Sequence, residues 1–213
     1  MPTITTEGII VKRSNFGEAD RILTVITPYK GKIRVMAKGV RKITSRRGGS
    51  IEMLNKVRMQ LYIGKNMSIL TEAQTLETFP KIKADLNLTG YGSHIVELTE
   101  RLLPEEQTNP EAYKLLVTVL TLMDKQPRQL WIRAFEVKLL ATLGFWSPDQ
   151  LQTNNEVKVL LDDLQKKEWI DLVNLQVSEA QALELERVLR YYMERVLESP
   201  LRSVQVMRKM KNG

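Results

Sequence analysis

The stretch KGKIRVMAKGVRKITSRR, residues 30–47, decides how the rest of the chain is read. It carries eight Lys or Arg over eighteen residues, no acid, and two glycines, Gly48 and Gly49, directly after it. Its first half alternates, with Ile33, Val35 and Ala37 on one side and Lys32, Arg34, Met36 and Lys38 on the other. A period of two marks a strand with one buried face, and it predicts that Lys32, Arg34 and Lys38 share the opposite face. After Lys38 the alternation stops and the spacing predicts a basic loop over 41–50. A strand presenting cations beside a cationic loop can neutralise a run of phosphates. Most charge runs are solvated faces, but here the neutralising acids are missing.

Outward from this stretch, residues 7–76 read as five short strands. Residues 7–13 are mostly apolar and β-branched; 20–27 (DRILTVIT) are rich in Ile, Val and Thr; 32–38 form the basic strand. Residues 56–63 alternate most cleanly, Val57, Met59, Leu61 and Ile63 against Lys56, Arg58, Gln60 and Tyr62, and 67–75 form the fifth strand. Turn residues separate them at 14–17, 28–31 and 64–66. Five strands in about seventy residues predict a small Greek-key barrel of the OB type, though periodicity alone does not separate it from an SH3-type barrel.

From Pro80 the period becomes helical. Helices are expected over 84–103 with Asp85 as cap, from Asn109-Pro110 to about 123, from Pro127 to Gly144, over 156–164, over 178–197 behind a Ser178/Gln181 capping box, and over 201–210 beyond Pro200. The fold class is therefore α+β: an N-terminal five-stranded OB barrel, residues 1–79, followed by an all-α domain of five or six helices, residues 80–213. Charge divides the same way. Of the net +7 on 213 residues, residues 1–75 carry +9 and the remainder −2, which places a polyanionic partner on the barrel.

The catalytic inventory is thin. No cysteine is present, which excludes disulfides, thiolate nucleophiles and thiolate metal sites. The one histidine, His94, lies in an expected helix without a G-x-S-x-G, and is expected to be structural or on the surface. Neither a P-loop nor a GxGxxG occurs. The acidic pairs Glu105-Glu106 and Asp162-Asp163 are adjacent rather than one turn apart and read as solvated helix ends. Trp131, Phe135, Phe145 and Trp146 read as core. Neither a signal peptide nor a membrane span is expected, and the cytoplasm is the expected setting. Barrel aromatics are few, namely Phe16, Tyr29 and Tyr62, with Tyr62 on the strand face of Arg58 and Lys56. Binding of nucleic acid should then rely on phosphates and show little sequence preference.

The residues also carry a resemblance. Glu7-Gly8-Ile9, Gly17-Glu18-Ala19-Asp20-Arg21, Lys30-Gly31-Lys32 and Ala37-Lys38-Gly39-Val40-Arg41-Lys42 resemble the opening of the RecO family of bacterial recombination mediators. Leu61-Tyr62, Leu70-Thr71-Glu72-Ala73, Arg133-Ala134-Phe135-Glu136, Leu143-Gly144-Phe145 and Pro200-Leu201-Arg202-Ser203 continue it along the chain. The resemblance implies an OB domain followed by a helical domain. It implies binding of single- and double-stranded DNA, annealing of complementary strands, and loading of the RecA recombinase onto strands coated by single-strand-binding protein, in DNA repair near the nucleoid. RecR and single-strand-binding protein, the latter through its C-terminal tail, are the implied partners, and RecA an indirect one. No covalent catalysis and no cofactor are implied. By position, the implied DNA contacts are Arg34, Lys38, Arg41 and Lys42; charge alone adds Arg46, Arg47 and Arg58. Many members carry a four-cysteine zinc site after the L-G-[FY] turn. Residues 147–156 hold no cysteine, so zinc is not expected and packing, with Phe145 and Trp146, must hold that corner. The alternative from composition is a structural RNA-binding OB protein.

Overall fold

The computed structural model describes residues 2–42, 45 and 47–211. Five strands, β1 (Thr3–Phe16), β2 (Asp20–Thr27), β3 (Gly31–Ala37), β4 (Lys56–Tyr62) and β5 (Ser68–Glu77), close a barrel in the order β1-β2-β3-β5-β4. All pairs are antiparallel except β3 with β5, which meet in parallel at Val35–Ser68 and Met36–Ile69. This is the OB-type barrel that the strand spacing predicts. The interior is filled by Ile10, Leu23, Val25, Val35, Ala37, Val57, Met59, Leu61 and Leu70, with Val40 and Ile51 plugging it from the β3–β4 loop.

β1 is twice as long as its apolar run suggests, because Thr3–Glu7 pair with β4 and Arg13–Phe16 with β2. One strand thus serves two neighbours and bends between them, with a register shift between Ile10 and Lys12. The unbroken run Ile9-Ile10-Val11 also finds its reason. Ile10 points into the barrel, whereas Ile9 and Val11 pack into the helical core with Ile26 and Leu54. A strand buried on both faces loses its alternation.

Seven α-helices follow among the described residues: α1 (Pro80–Ala84), α2 (Leu86–Leu102), α3 (Pro110–Lys125), α4 (Gln129–Thr142), α5 (Asn155–Lys166), α6 (Glu179–Leu197) and α7 (Arg202–Lys211). The count exceeds the expected five or six because Asp85 adopts extended geometry between α1 and α2 and caps α2, its Oδ1 accepting from the Leu88 amide at 2.9 Å. Asn109 caps α3 in the same way, Asn154 caps α5, and the Ser178/Gln181 box closes reciprocally on α6. α4 begins two residues after Pro127, with no side-chain cap at Arg128.

Barrel and helices share one packed boundary. Lys32 does not stand on the solvent face as the alternation predicts; its side chain is buried, and Nζ donates to the Glu100 carbonyl at 2.7 Å. The chain after α2 runs across the start of β3, where the Glu106 amide donates to the Lys32 carbonyl at 2.9 Å. Gly31 permits this contact. Its φ is +66°, and a Cβ there would lie 2.1 Å from the Gln107 carbonyl oxygen. The corner after α4 is held by packing. Trp146 meets Tyr192 edge-on at 5.2 Å and donates to Gln165, while the Tyr192 hydroxyl accepts from the Ser147 amide. Phe145, expected to share that task, is 46% exposed.

Candidate nucleic-acid interface

The described residues of the loop that follows β3 are tied to the barrel. Gly39 turns the chain at φ +66°, and its amide donates to Asp20 Oδ1 at 2.7 Å. The Arg41 amide reaches the Ala19 carbonyl at 2.9 Å, and its guanidinium reaches the Gly17 carbonyl at 3.1 Å. The loop therefore lies against the β1–β2 turn. At its other end buried Asn55 donates to the Gly49 and Ser50 carbonyls. The apolar anchors are Val40 and Ile51, already in the barrel core.

This scaffold fixes the sequence-derived cations unequally. Arg34, on β3, and Lys38, Arg41 and Lys42, in the loop, face solvent, and none has an ion-pair partner among the described residues. Lys38, Arg41 and Lys42 lie at one end of the barrel, joined there by Phe16, which is 51% exposed at the end of β1, and Arg34 stands midway along β3 opposite Thr24. Arg47 is half-buried and committed to the fold. Its guanidinium donates to the carbonyls of Leu70 (2.7 Å), Thr71 (3.3 Å) and Lys38 (2.9 Å), stapling the loop across β5. Arg46 lies outside the described residues. Arg58 is exposed but elsewhere: on β4 it faces Glu7 of β1 and Gln74 of β5, while β3 meets β5 only near Ser68.

Around Arg58 the structure builds a groove of about 720 Å³ between the barrel and α3. It is lined by Lys56, Arg58 and Lys114, by Glu7 and Glu111, and by Tyr29 and Tyr113. Glu7 forms part of its wall, 3.4 Å from Lys56 Nζ and accepting from the Tyr113 hydroxyl at 3.0 Å. Burial, with the Glu7 carboxylate beside it, pushes the Tyr113 phenol far above its ordinary range, so it stays a hydrogen-bond donor. Sequence reading missed the juxtaposition of Tyr29, Arg58 and Lys114. Lys114 belongs to the net-acidic half, and no local pattern signals that α3 delivers it to the barrel.

His94 is buried as expected of a structural residue. Its Nε2 is 2.6 Å from Glu136 Oε1 and its Nδ1 is 3.4 Å from Ser203 Oγ. Burial alone would push the Glu136 carboxyl up, but the Arg133 guanidinium at 2.8 Å and the His94 hydrogen bond hold it below its ordinary value. Ser, His and Glu here follow the order of a hydrolytic triad, yet the Ser203 hydroxyl is itself buried and is hydrogen-bonded to Glu97. A nucleophile must be open to substrate, so the cluster reads as a latch between α2, α4 and α7. Among the described residues no group of three His, Asp or Glu is placed to hold a metal ion, and no helix is long and apolar enough to cross a membrane.

Comparison with known proteins completes this picture. Residues 1–79 match the family model described as Recombination protein O N terminal, and residues 83–149 the one described as Recombination protein O C terminal. The chain is 39% identical over 141 residues to the DNA repair protein RecO of a Roseiflexus species, covering 66% of this chain and 50% of that protein. It is 35% identical over 148 residues to the DNA repair protein RecO of Symbiobacterium thermophilum, covering 68% of this chain and 58% of that protein. The match thus spans between half and three-fifths of the length of these relatives. With two family models meeting end to end over the barrel and the first helices, on an OB barrel continuous with a helical core, the chain belongs to the RecO family.

Proposed function

We propose that this chain is a DNA repair and recombination mediator that works by binding rather than by covalent chemistry. It holds single- and double-stranded DNA on the basic end of its barrel, anneals complementary strands, and with RecR assists RecA loading onto strands coated by single-strand-binding protein. The observation that carries this reading is the set Arg34, Lys38, Arg41 and Lys42: four exposed cations, none paired with a carboxylate among the described residues, one on β3 and three on the loop tied to the barrel. An array of unpaired cations meets a phosphate backbone without first breaking internal ion pairs.

The test is a titration of labelled strands at several salt concentrations with wild type and the triple variant K38A/R41A/K42A. Binding should weaken across every sequence, and the slope of log K against log salt should flatten by about 0.7 per lost contact on single strands. Unchanged affinity and slope in the variant defeat the assignment. Matched RNA and DNA competitors separate this reading from the RNA-binding one.

The helical part supports a further role for the acidic, apolar C-terminal tail of single-strand-binding protein. A cleft between α2, α4, α6 and α7 is lined by Ile132, Met193, Val204 and Met207, with Arg133 and Arg190 at its polar wall. Of the basic residues on this domain that could meet a carboxylate, Lys138 is committed to the Gln165 and Lys167 carbonyls and Arg187 to Glu184. Arg190 lines the cleft beside Arg133 and lies 3.9 Å from Glu186. A labelled peptide of that tail should bind wild type and lose affinity with R190E; no binding to wild type ends this reading.

A further inference from the structure

Lys38, Arg41 and Lys42 account for one end of the barrel, with Arg34 midway along β3, and the opposite end has an unexplained composition of its own. β2 and β3 pair from Arg21–Ala37 to Thr27–Gly31. The basic loop and Phe16 sit at the first end, and Tyr29 at the second. At about 3.4 Å per residue the two ends are roughly 20–25 Å apart along β2. Tyr29 is 77% exposed, the most exposed large side chain of apolar character among the described residues. Core packing does not account for it.

It is held there by a closed turn. Buried Thr27 accepts from the Lys30 amide and donates to the Gly31 carbonyl, both at 3.0 Å, so the ring is presented from a fixed backbone. It lines the groove between the barrel and α3 together with Arg58 and Lys114. Both cations are exposed and lack an ion-pair partner among the described residues, whereas Lys56 is paired with Glu7. An aromatic face with unpaired cations beside it, in an open groove, is the arrangement that holds a single strand: bases stack on the ring and the backbone follows the charge. A duplex buries its base faces and offers no ring to stack on it.

We propose that the groove between the barrel and α3 is a second single-stranded DNA site, with Tyr29 as the stacking platform and Arg58 and Lys114 as phosphate contacts, separate from the basic loop. It rests on the DNA-binding reading above and extends it: one chain carries two strands at opposite ends of one barrel, which brings two strands into a single complex before they pair.

The test is photocrosslinking of a thymidine oligonucleotide carrying 5-iodouracil to the full chain, with adducts located by mass spectrometry. An adduct at Tyr29 is expected in wild type and in K38A/R41A/K42A, and its loss in R58E/K114E. Y29A should weaken binding of the short strand to K38A/R41A/K42A by about tenfold, the scale of one lost base stack, while Y29F leaves it unchanged. All these positions are exposed, so unchanged circular dichroism spectra are expected. Bound oligonucleotide without a Tyr29 adduct overturns the site. An adduct that disappears in K38A/R41A/K42A also overturns it, because it makes the groove the tail of one continuous track. Failure of wild type to bind the oligonucleotide at all overturns the DNA reading itself.

Discussion

Single residues in this protein divide into those that spend their charge on the fold and those that keep it for a ligand. Arg47 and Lys32 both belong to the basic stretch, yet their donors are taken by main-chain carbonyls. Arg34, Lys38 and Lys42 keep theirs, and Arg41 gives one donor to the Gly17 carbonyl while its side chain stays exposed. Replacing Arg47 by Ala should therefore lower stability, by about 1–3 kcal/mol for a charged donor lost to part-buried carbonyls, and should disturb DNA binding only through the loop it holds; urea unfolding beside the binding titration separates the two. Glu136 makes a second case. With its partners Arg133 and His94 left behind in a buried site, Glu136→Ala should cost about 3 kcal/mol or more in the same unfolding experiment. An effect near zero would show that the cluster is not a latch.

Among the elements, α7 is attached through a carboxylate of a neighbouring helix. Glu97 of α2 accepts from the amides of Arg202 and Ser203, each at 2.8 Å, and so caps α7 from a neighbouring helix. Burial would raise its carboxyl, but the Ser203 and Arg202 hydrogen bonds and the charge of Arg101 hold it below its ordinary value near 4.5. A depressed folded value means the contribution is complete above that ordinary value and is lost as pH falls through the folded one. Amide exchange over residues 202–207, corrected for intrinsic rates, should accelerate in wild type as pH falls below Glu97's ordinary value and through its depressed folded one. It should already be fast at neutral pH in Glu97→Ala, which removes a cap worth about 1–2 kcal/mol. Equal protection in the two proteins at neutral pH would dismiss the cap.

For the whole molecule the decisive feature is the boundary between barrel and helices. Ile9, Val11 and Ile26 leave the barrel surface for the helical core, Lys32 reaches Glu100, and Tyr113 reaches Glu7. Barrel and helices are one packed body, so residues 1–79 made alone should expose an apolar strip, bind a hydrophobic dye and melt well below the full chain. Gly31→Ala attacks the same boundary at one point. It sets a Cβ against the Gln107 backbone and an L-residue at positive φ, and should cost at least about 2 kcal/mol. A melting temperature unchanged by Gly31→Ala would mean that the segment after α2 is free to move away from β3.

Local pattern was enough for most of the architecture. The alternation of 56–63, the β-branched run DRILTVIT, the caps at Asp85, Asn109 and Ser178, and the helical period beyond Pro80 each state their element within a few residues, because hydrogen-bond geometry and side-chain period are local properties. The basic loop was legible for the same reason, as composition. What the tertiary structure decided is which cations are available and what stands beside them. Lys32 reads as outward by its period and is buried because another segment crosses it; Tyr29 reads as a turn residue and forms a wall of a groove because α3 brings Lys114 to it. The identity of a side chain's neighbours across eighty residues of sequence depends on how barrel and helices pack, and no period within either one contains that information.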